Sequence, residues 1–229
     1  MGGLPPRNFS ANGPRRLRPP APPPGRPTPS YTRGMGRPVT DADLPITTER
    51  LVLRRFRASD TEPVLALYSD PGVTRYLYKE PLGLDGLEQV MLRRLNEPRL
   101  AVEGDVLDLA AELRSTGELV GAFVLFHRSD ANRRGEIGYT LFPKFTGRGL
   151  ATEGGRALLR IAFELLGLHS VVATCDARNF ASTQVMARLG MRQEAHFRRN
   201  VFVKGEWTDE LVFALLAEEW RATVARSGG

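Results

Sequence analysis

The sequence predicts an α/β fold, and three observations within one stretch of the chain support this prediction. Residues 135–142 alternate apolar and polar side chains, which is the period of a β-strand. After a glycine-rich turn, Leu158, Ala162 and Leu165 recur at the spacing of one helix face. Residues 171–176 form another short apolar strand, and a helical crossover between two strands predicts that they pair in parallel.

Residues 1–38 differ from the rest of the chain in composition. They hold eleven of the seventeen prolines and seven arginines, with no acidic residue. Such a segment cannot bury enough apolar surface to offset its ordering entropy, so we expect a disordered tail over residues 1–44. This tail is either passive or a docking arm, and Met35 is an alternative natural start.

The net charge of +6 is concentrated in this tail. Removing the seven arginine charges of residues 1–38 leaves residues 39–229 at −1. The folded part therefore lacks the basic footprint of a DNA-binding domain. A weak, salt-sensitive contact of the tail with RNA or the ribosome remains as the nucleic-acid interpretation.

The composition also limits the compartment and the cofactors. A single cysteine, Cys175, excludes an intrachain disulfide, and the three histidines do not show metal-ligand spacing. No apolar run approaches 18 residues, and the first residues lack the apolar region of a signal peptide. We therefore expect a cytoplasmic protein without metal or membrane span, either a monomer or a homodimer.

The ordered domain is predicted over residues 45–220, followed by a fraying tail over 221–229. Its strands are expected from alternating or apolar runs and its helices from capping residues, apolar spacing and glycine stops. Ser115-Thr116-Gly117 predicts a hairpin turn between the second and third strands. In chain order, the predicted elements are strand 47–54, helices 62–68 and 84–95, strands 106–113, 118–127 and 135–142, a helix from Ala151, strand 171–176, a helix ending at Gly190, and strands 192–203 and 208–216.

The turn Thr146-Gly147-Arg148-Gly149 connects strand 135–142 to the following helix. A strand that enters a helix leaves the first helical amides free, and glycines let a bulky anion approach the backbone closely. The turn is either a pyrophosphate cradle or only a tight connection. The dinucleotide fingerprint is excluded because Thr152 stands where it needs Gly or Ala, and the Walker pattern is absent.

Lys144-Phe145-Thr146-Gly147-Arg148-Gly149 resembles the acyl-CoA signature Q/R-x-x-G-x-G/A of the GNAT (GCN5-related) N-acetyltransferases. The longer string Gly-Arg-Gly-Leu-Ala-Thr-Glu, from Gly147 to Glu153, resembles the RimJ/RimL branch of ribosomal-protein N-terminal acetyltransferases. Lys144 departs from the usual Gln or Arg. The resemblance covers about residues 45–220, and its specificity rests on this motif together with Asn179-x-x-Ser182 further along the chain.

The resemblance implies a mixed, mostly antiparallel sheet of six or seven strands with helices on both faces. Its fourth and fifth strands should splay apart to admit acetyl-CoA as the co-substrate. The helix pair before the sheet should cover the acceptor site, where Tyr76 and Tyr78 either line the site or simply pack. The residues implied to hold the coenzyme are Leu141, Phe142, Thr146, Gly147, Arg148, Gly149, Leu150, Ala151, Thr152, Asn179 and Ser182.

Acetyl transfer to an amine requires a base for the amine and an acid for the departing thiolate. Glu136 lies on the strand face opposite Ile137 and Tyr139, where a carboxylate is costly to bury without a partner. In the resembling family a Glu at this place is often the base, usually acting through water. The alternative is a structural ion pair with Arg128 or Arg178.

The second motif supplies the expected acid. In the resembling family the Asn holds the pantetheine or acetyl end, and the hydroxyl lies near the sulfur. Ser182 is therefore the expected acid, with helix capping as its alternative role. Cys175 has no histidine beside it in sequence, so a buried apolar role is expected rather than a nucleophilic one.

The implied function is direct transfer of an acetyl group from acetyl-CoA to a primary amine. A protein N-terminus is the first acceptor expected, and a small-molecule amine such as a polyamine, antibiotic or amino acid is the second. A non-catalytic acyl-CoA sensor is the rival from another class. The sequence does not name the acceptor, because the loops that select it carry no motif.

Overall fold

The computed structural model describes residues 36–78, 83–96 and 100–227. Its centre is one sheet of eight strands in the spatial order β1-β2-β3-β4-β5-β6-β8-β7. All neighbouring pairs are antiparallel except β5 with β6. The strands are β1 (Ile46–Thr47), β2 (Leu51–Arg54), β3 (Val106–Leu113), β4 (Leu119–Ser129), β5 (Arg134–Leu141), β6 (Ser170–Asp176), β7 (Arg192–Val203) and β8 (Glu206–Leu216).

Helices cover both faces of this sheet, as predicted. α1 and α3 lie over one face, where Val64, Leu67 and Met91 pack against Ala110 and Ala122. α4, α5 and α6 contribute to the larger core on the other face. The helices are α1 (Thr61–Ser69), the single turn α2 (Pro71–Thr74), α3 (Leu84–Asn96), α4 (Leu150–Arg160), which continues into a π-helical turn over Ile161–Leu165, α5 (Phe180–Arg188) and α6 (Ala217–Ser227).

The predicted splay of the fourth and fifth strands is confirmed as the divergence of β5 from β6. The two strands pair at three positions only, from Arg134 with Ser170 to Glu136 with Val172. β5 then continues to Leu141 and β6 to Asp176 without further pairing. The sheet therefore opens into a wedge at its middle.

The sheet has eight strands, one more than the upper limit of the predicted six or seven. The predicted strand 47–54 is a small hairpin, in which Ile46 of β1 pairs with Leu53 of β2. The chain turns because the Thr48 N–H bonds to the Leu51 carbonyl at 2.9 Å. The carboxylate of Glu153 accepts hydrogen bonds from the Thr48 hydroxyl and the Arg50 N–H, which fixes this turn from outside.

Structured residues extend beyond both predicted domain boundaries. Residues from Gly36 are ordered, because Val39 is fully buried and bridges to Leu100, and the Arg37 N–H bonds to the Leu165 carbonyl at 2.6 Å. At the other end, α6 runs through the predicted boundary at residue 220 to Ser227. The predicted disorder of residues 1–35 and the predicted RNA contact of this tail lie outside the described residues, as do residues 228–229.

Two glycines inside α4 are explained by close packing of the core. A Cβ on Gly154 would meet the Phe123 ring at 2.3 Å, and one on Gly155 would meet Leu189 at 2.8 Å. The close approach brings α4 down onto β4 and α5. Each glycine costs helix stability of about 1 kcal/mol, and the packing against Phe123 and Leu189 offsets that cost.

Candidate active site

The turn between β5 and α4 is shaped by two glycines in the left-handed region. Gly147 has φ +72° and Gly149 has φ +78°, a conformation that costs a non-glycine residue about 1–2 kcal/mol. A Cβ on Gly147 would meet no atom within 4 Å, and one on Gly149 would meet only Arg50 Nη2, at 3.4 Å. The surface in front of the turn is therefore open, and the backbone is accessible.

The N-terminus of α4 opens toward this turn. Gly149 is the N-cap and has no side chain to bond the first amides, so the N–H groups of Leu150, Ala151 and Thr152 are not side-chain capped. Leu150 and Thr152 are buried, and the Thr152 hydroxyl has no hydrogen-bond partner among the described residues. Backbone amides and a positive helix end are a suitable site for a pyrophosphate.

Glu153 holds the turn from the side of β2. Burial opposes ionisation of this carboxyl, but hydrogen bonds from Thr48 and Arg50 lower its pKa. Arg50 also donates to the Arg148 carbonyl at 2.9 Å. Lys144 is directed elsewhere, because its ammonium pairs with Glu118 of the β3–β4 connection. Thr146 donates its hydroxyl to the Pro143 carbonyl at 2.8 Å, which closes the turn.

The edge of β5 faces the wedge. The Phe142 N–H bonds to the Val120 carbonyl of β4, so by alternation the N–H and C=O groups of Tyr139 and Leu141 point toward β6. β6 has already diverged there, which leaves these groups for a ligand. Phe142 differs, because its carbonyl also accepts the Phe145 N–H. Both backbone polar groups of Phe142 already have partners within the chain, and its expected coenzyme contact stays a prediction.

A cavity of about 250 Å³ occupies the wedge. Its walls come from both sheet faces: the helices α1 and α3, the segment after α2, the strands β3, β4, β5 and β6, and the helix α5. Tyr76 and Tyr78, predicted either to line the acceptor site or to pack, are both on the wall. The wall also includes Asn179 and Ser182 of the second sequence motif, which face Tyr139 and Thr140 of β5, whereas the turn at Gly147 and Gly149 is not among the lining residues.

Asn179, not Ser182, caps α5. Asn179 Oδ1 accepts the Ser182 N–H at 3.1 Å. The Ser182 hydroxyl instead faces the Tyr139 hydroxyl, which is buried and has no well-formed hydrogen bond to any described residue. Burial raises the pKa of Tyr139 to about 12, and the Ser182 hydroxyl offsets part of that rise. Two protonated hydroxyls therefore stand together where the strands part.

Cys175 also lies on the cavity wall, but its thiol is not activated. It is 6% exposed, and burial raises the pKa of the thiol to about 11, with the charges of Asp176 and Glu210 adding to the effect. A cysteine nucleophile needs the thiolate. At neutral pH this side chain is a thiol, in keeping with the expected apolar role.

Glu136 forms an ion pair with Arg128 and not with Arg178. Arg128 Nε donates to Glu136 Oε2 at 2.8 Å, whereas Arg178 pairs with Asp176 and Glu206. The Glu136 side chain is 24% exposed. It shares a strand face with Gly138, which lines the cavity, and pairs in register with Phe126, which also lines it. Glu136 is therefore on the same sheet face as these two residues, but it is not among the residues that line the cavity, and its carboxylate is bound to Arg128.

The cavity wall near α3 contains a buried network that the sequence did not predict. Arg94 Nε donates to Asp108 Oδ2 at 2.8 Å, and Arg94 Nη2 donates to the Tyr68 hydroxyl at 3.0 Å. Both charged side chains are 3% exposed. The available signal was Asp108 itself, an acidic residue within the apolar strand 106–113, because a buried carboxylate requires a cationic partner.

Tyr78 completes this side of the cavity. Its hydroxyl is buried and has no hydrogen-bond partner among the described residues. Burial raises the pKa of Tyr78, and the charges of Glu210 and Asp176 raise it further. The hydroxyl is therefore protonated at neutral pH and can donate to a ligand.

Within the described ranges, no three His, Cys, Asp or Glu side chains come together in a group that could hold a metal ion. None of the described helices has the length and apolar character needed to cross a membrane.

Comparison with known proteins identifies the domain. Residues 50–192 match the family model described as "Acetyltransferase (GNAT) domain". The uncharacterized N-acetyltransferase YnaD of Bacillus subtilis is 32% identical over 76% of this chain and 98% of its own. A crystal structure of a GNAT-family acetyltransferase from Bacillus anthracis superposes with a TM-score of 0.66 at 30% identity, covering 76% of this chain and 98% of that one.

Two further relatives carry an acceptor in their names. The putative ribosomal N-acetyltransferase YdaF of Bacillus subtilis is 34% identical over 51% of this chain and 63% of its own. The spermidine N(1)-acetyltransferase of Escherichia coli is 24% identical over 74% of this chain and 88% of its own. The two names specify different amines, so the comparisons do not select an acceptor.

Proposed function

This chain belongs to the GNAT family of N-acetyltransferases, and on that basis we propose that it acetylates the α-amine of a protein N-terminus. The observation that carries the choice of acceptor is the charge balance of the cavity wall. Asp108 is the single carboxylate among the lining residues that the structure describes, and Arg94 and Arg93 neutralise it. A polyamine with several positive charges would find no compensating charge there.

The coenzyme is proposed to bind mainly to backbone groups of the protein. The amides from Leu150 to Thr152 and the open turn at Gly147 and Gly149 fit a pyrophosphate. The exposed edge of β5 at Tyr139 and Leu141 fits the amide groups of a pantetheine arm, which would then pair as a strand does. Acetyl-CoA supplies the activated thioester.

Direct attack by the amine is supported by the state of Cys175. Its raised pKa leaves no thiolate to form an acyl-enzyme. Ser182 is proposed to protonate the leaving thiolate, with the Tyr139 hydroxyl beside it as a donor to the Ser182 oxygen. Both hydroxyls are protonated at neutral pH, which this role requires.

Glu136 is proposed as the base that receives the amine proton, through water. Arg128 orients this carboxylate, and Glu136 is the last residue of β5 that pairs with β6 before the two strands part. The ion pair with Arg128 is also what a purely structural residue would show. Substitution of each partner separates these roles, as described below.

A small-molecule amine is the second candidate, favoured by the similarity to spermidine N(1)-acetyltransferase over 74% of the chain. A non-catalytic acyl-CoA sensor is the third reading. The test is thiol release from acetyl-CoA with three acceptors: a peptide with a free N-terminus, the same peptide with a blocked N-terminus and spermidine.

We expect thiol release with the free peptide only, and mass spectrometry should find one acetyl group on its N-terminus. Release with spermidine but not with the peptide would replace the first candidate by the second. Coenzyme binding without release, across a wide panel of amines, would identify a sensor.

A further inference from the structure

The turn between β7 and β8 carries an unusual residue. Lys204 and Gly205 form a two-residue hairpin turn with φ +53° and +77°, and Val203 pairs with Glu206 across it. Asn or Asp before Gly is the usual choice for such a turn, because most side chains are strained at positive φ. The strain at Lys204 suggests that its side chain is needed.

That side chain reaches across to the segment after α2. Lys204 Nζ donates to the Leu77 carbonyl at 2.9 Å, to the Arg75 carbonyl at 3.3 Å and, in a shorter contact, to the Thr74 carbonyl. A lysine ammonium has three donors, and here each has one acceptor. The contacts join residues about 130 positions apart in sequence, so they fix tertiary structure rather than a local turn.

The segment held in this way forms part of the acceptor wall. Tyr76, Leu77 and Tyr78 all line the cavity. The other hydrogen bonds of the segment among described residues are local, such as Leu77 N–H to the Thr74 carbonyl and the Thr74 hydroxyl to the Asp70 carbonyl. In the described part of the chain, Lys204 therefore supplies the hydrogen bonds that tie this wall to the sheet.

We infer that Lys204 is a positioning residue for the acceptor: it holds the segment Thr74–Tyr78 so that Tyr76 and Tyr78 shape the acceptor half of the cavity. This inference rests on the proposed function, since it assigns the Tyr76–Tyr78 wall to the amine substrate. Lys204 does not touch the coenzyme turn, which lies on the opposite side of the wedge. Its loss should therefore weaken acceptor binding and leave coenzyme binding intact.

The test compares Lys204→Met with Lys204→Arg and with Arg160→Met, a control that removes an exposed cation from α4. We expect Lys204→Met to raise the KM for the acceptor about tenfold or more, because three charge-assisted hydrogen bonds are lost. The KM for acetyl-CoA should stay unchanged. Lys204→Arg should restore little of the acceptor affinity, since a planar guanidinium cannot direct three donors to converging carbonyls.

A second readout does not depend on turnover. Amide hydrogen exchange of residues 75–78 should accelerate in Lys204→Met and stay unchanged in Arg160→Met. An unchanged acceptor KM with unchanged exchange would overturn the inference. If no acceptor is found for the wild type, the proposed function fails, and exchange alone then decides whether Lys204 holds the segment. If the KM values for the acceptor and for acetyl-CoA rise equally and the melting temperature falls, the role of Lys204 is merely structural.

Discussion

The site that we propose has a coenzyme half and an acceptor half, which are built in different ways. The coenzyme half is a contiguous segment whose binding groups are backbone: the β5 edge, the turn at Gly147 and Gly149, and the first amides of α4. The acceptor half is assembled from side chains of distant elements and is held by Arg94, Asp108 and Lys204. A site made of backbone groups tolerates changes of side chain and fails when the chain path changes. A site made of side chains fails when one of those side chains is replaced.

The largest effect is expected from Glu136→Gln, which keeps the size and hydrogen bonding of the residue but removes the proton acceptor. If Glu136 is the base, turnover should fall by about 10²–10⁴ with coenzyme affinity nearly unchanged. The deficit should shrink at high pH, where more of the amine is already deprotonated. Steady-state rates across a pH range measure this.

Arg128→Gln is the matched control for that variant, because it breaks the same ion pair from the other side. If Glu136 is the base, turnover should fall far more in Glu136→Gln than in Arg128→Gln. If the two variants lose the same small amount of activity and stability, Glu136 is only the partner of Arg128.

The next largest effect is expected at the coenzyme turn. Gly149→Val places a β-branched side chain at φ +78°, so CoA affinity should fall about tenfold or more, in line with a strain of about 1–2 kcal/mol. Lys144→Ala should change affinity little, because Lys144 pairs with Glu118 rather than facing the turn. Calorimetric titration of CoA compares them, and equal losses would rule out a backbone cradle.

The hydroxyl pair should give a smaller effect with the opposite pH trend. Ser182→Ala should slow turnover most at high pH and least at low pH, where the solution can protonate the thiolate. Tyr139→Phe should follow the same trend, and its pKa of about 12 predicts no titration of this hydroxyl between pH 6 and 10. A flat pH–rate ratio for both variants would remove them from the proton transfer.

This contrast also explains what the sequence could predict. The proposed coenzyme half could be predicted because it is one continuous stretch of chain. In it, Gly147 and Gly149 lie between a strand, whose apolar residues recur every two positions, and a helix, whose apolar residues recur every 3.6 positions. The acceptor half could not, since Asp108, Arg94 and Tyr68 come from three elements and meet only after folding. The predicted boundary at residue 45 fails for the same reason, because Val39 is buried by packing against distant residues, which its tail-like surroundings in the sequence do not reveal.

The smallest effect is expected from removing the first 34 residues. A chain that begins at Met35 keeps every described contact, so its melting temperature and turnover should match the full chain. A chain that begins at Thr40 should melt several degrees lower, because it loses the buried Val39 and the Arg37–Leu165 hydrogen bond. Equal melting temperatures for both would mean that the boundary at Gly36 is misplaced.

The most direct test of the two-half account is a crossed measurement of both Michaelis constants in Gly149→Val and Tyr78→Phe. Tyr78→Phe removes a buried hydroxyl without a described hydrogen-bond partner, so folding should not suffer. Gly149→Val should raise the KM for acetyl-CoA alone, and Tyr78→Phe should raise the KM for the acceptor alone. If either variant raises both constants to the same extent, the separation of the site into an independent coenzyme half and acceptor half is contradicted.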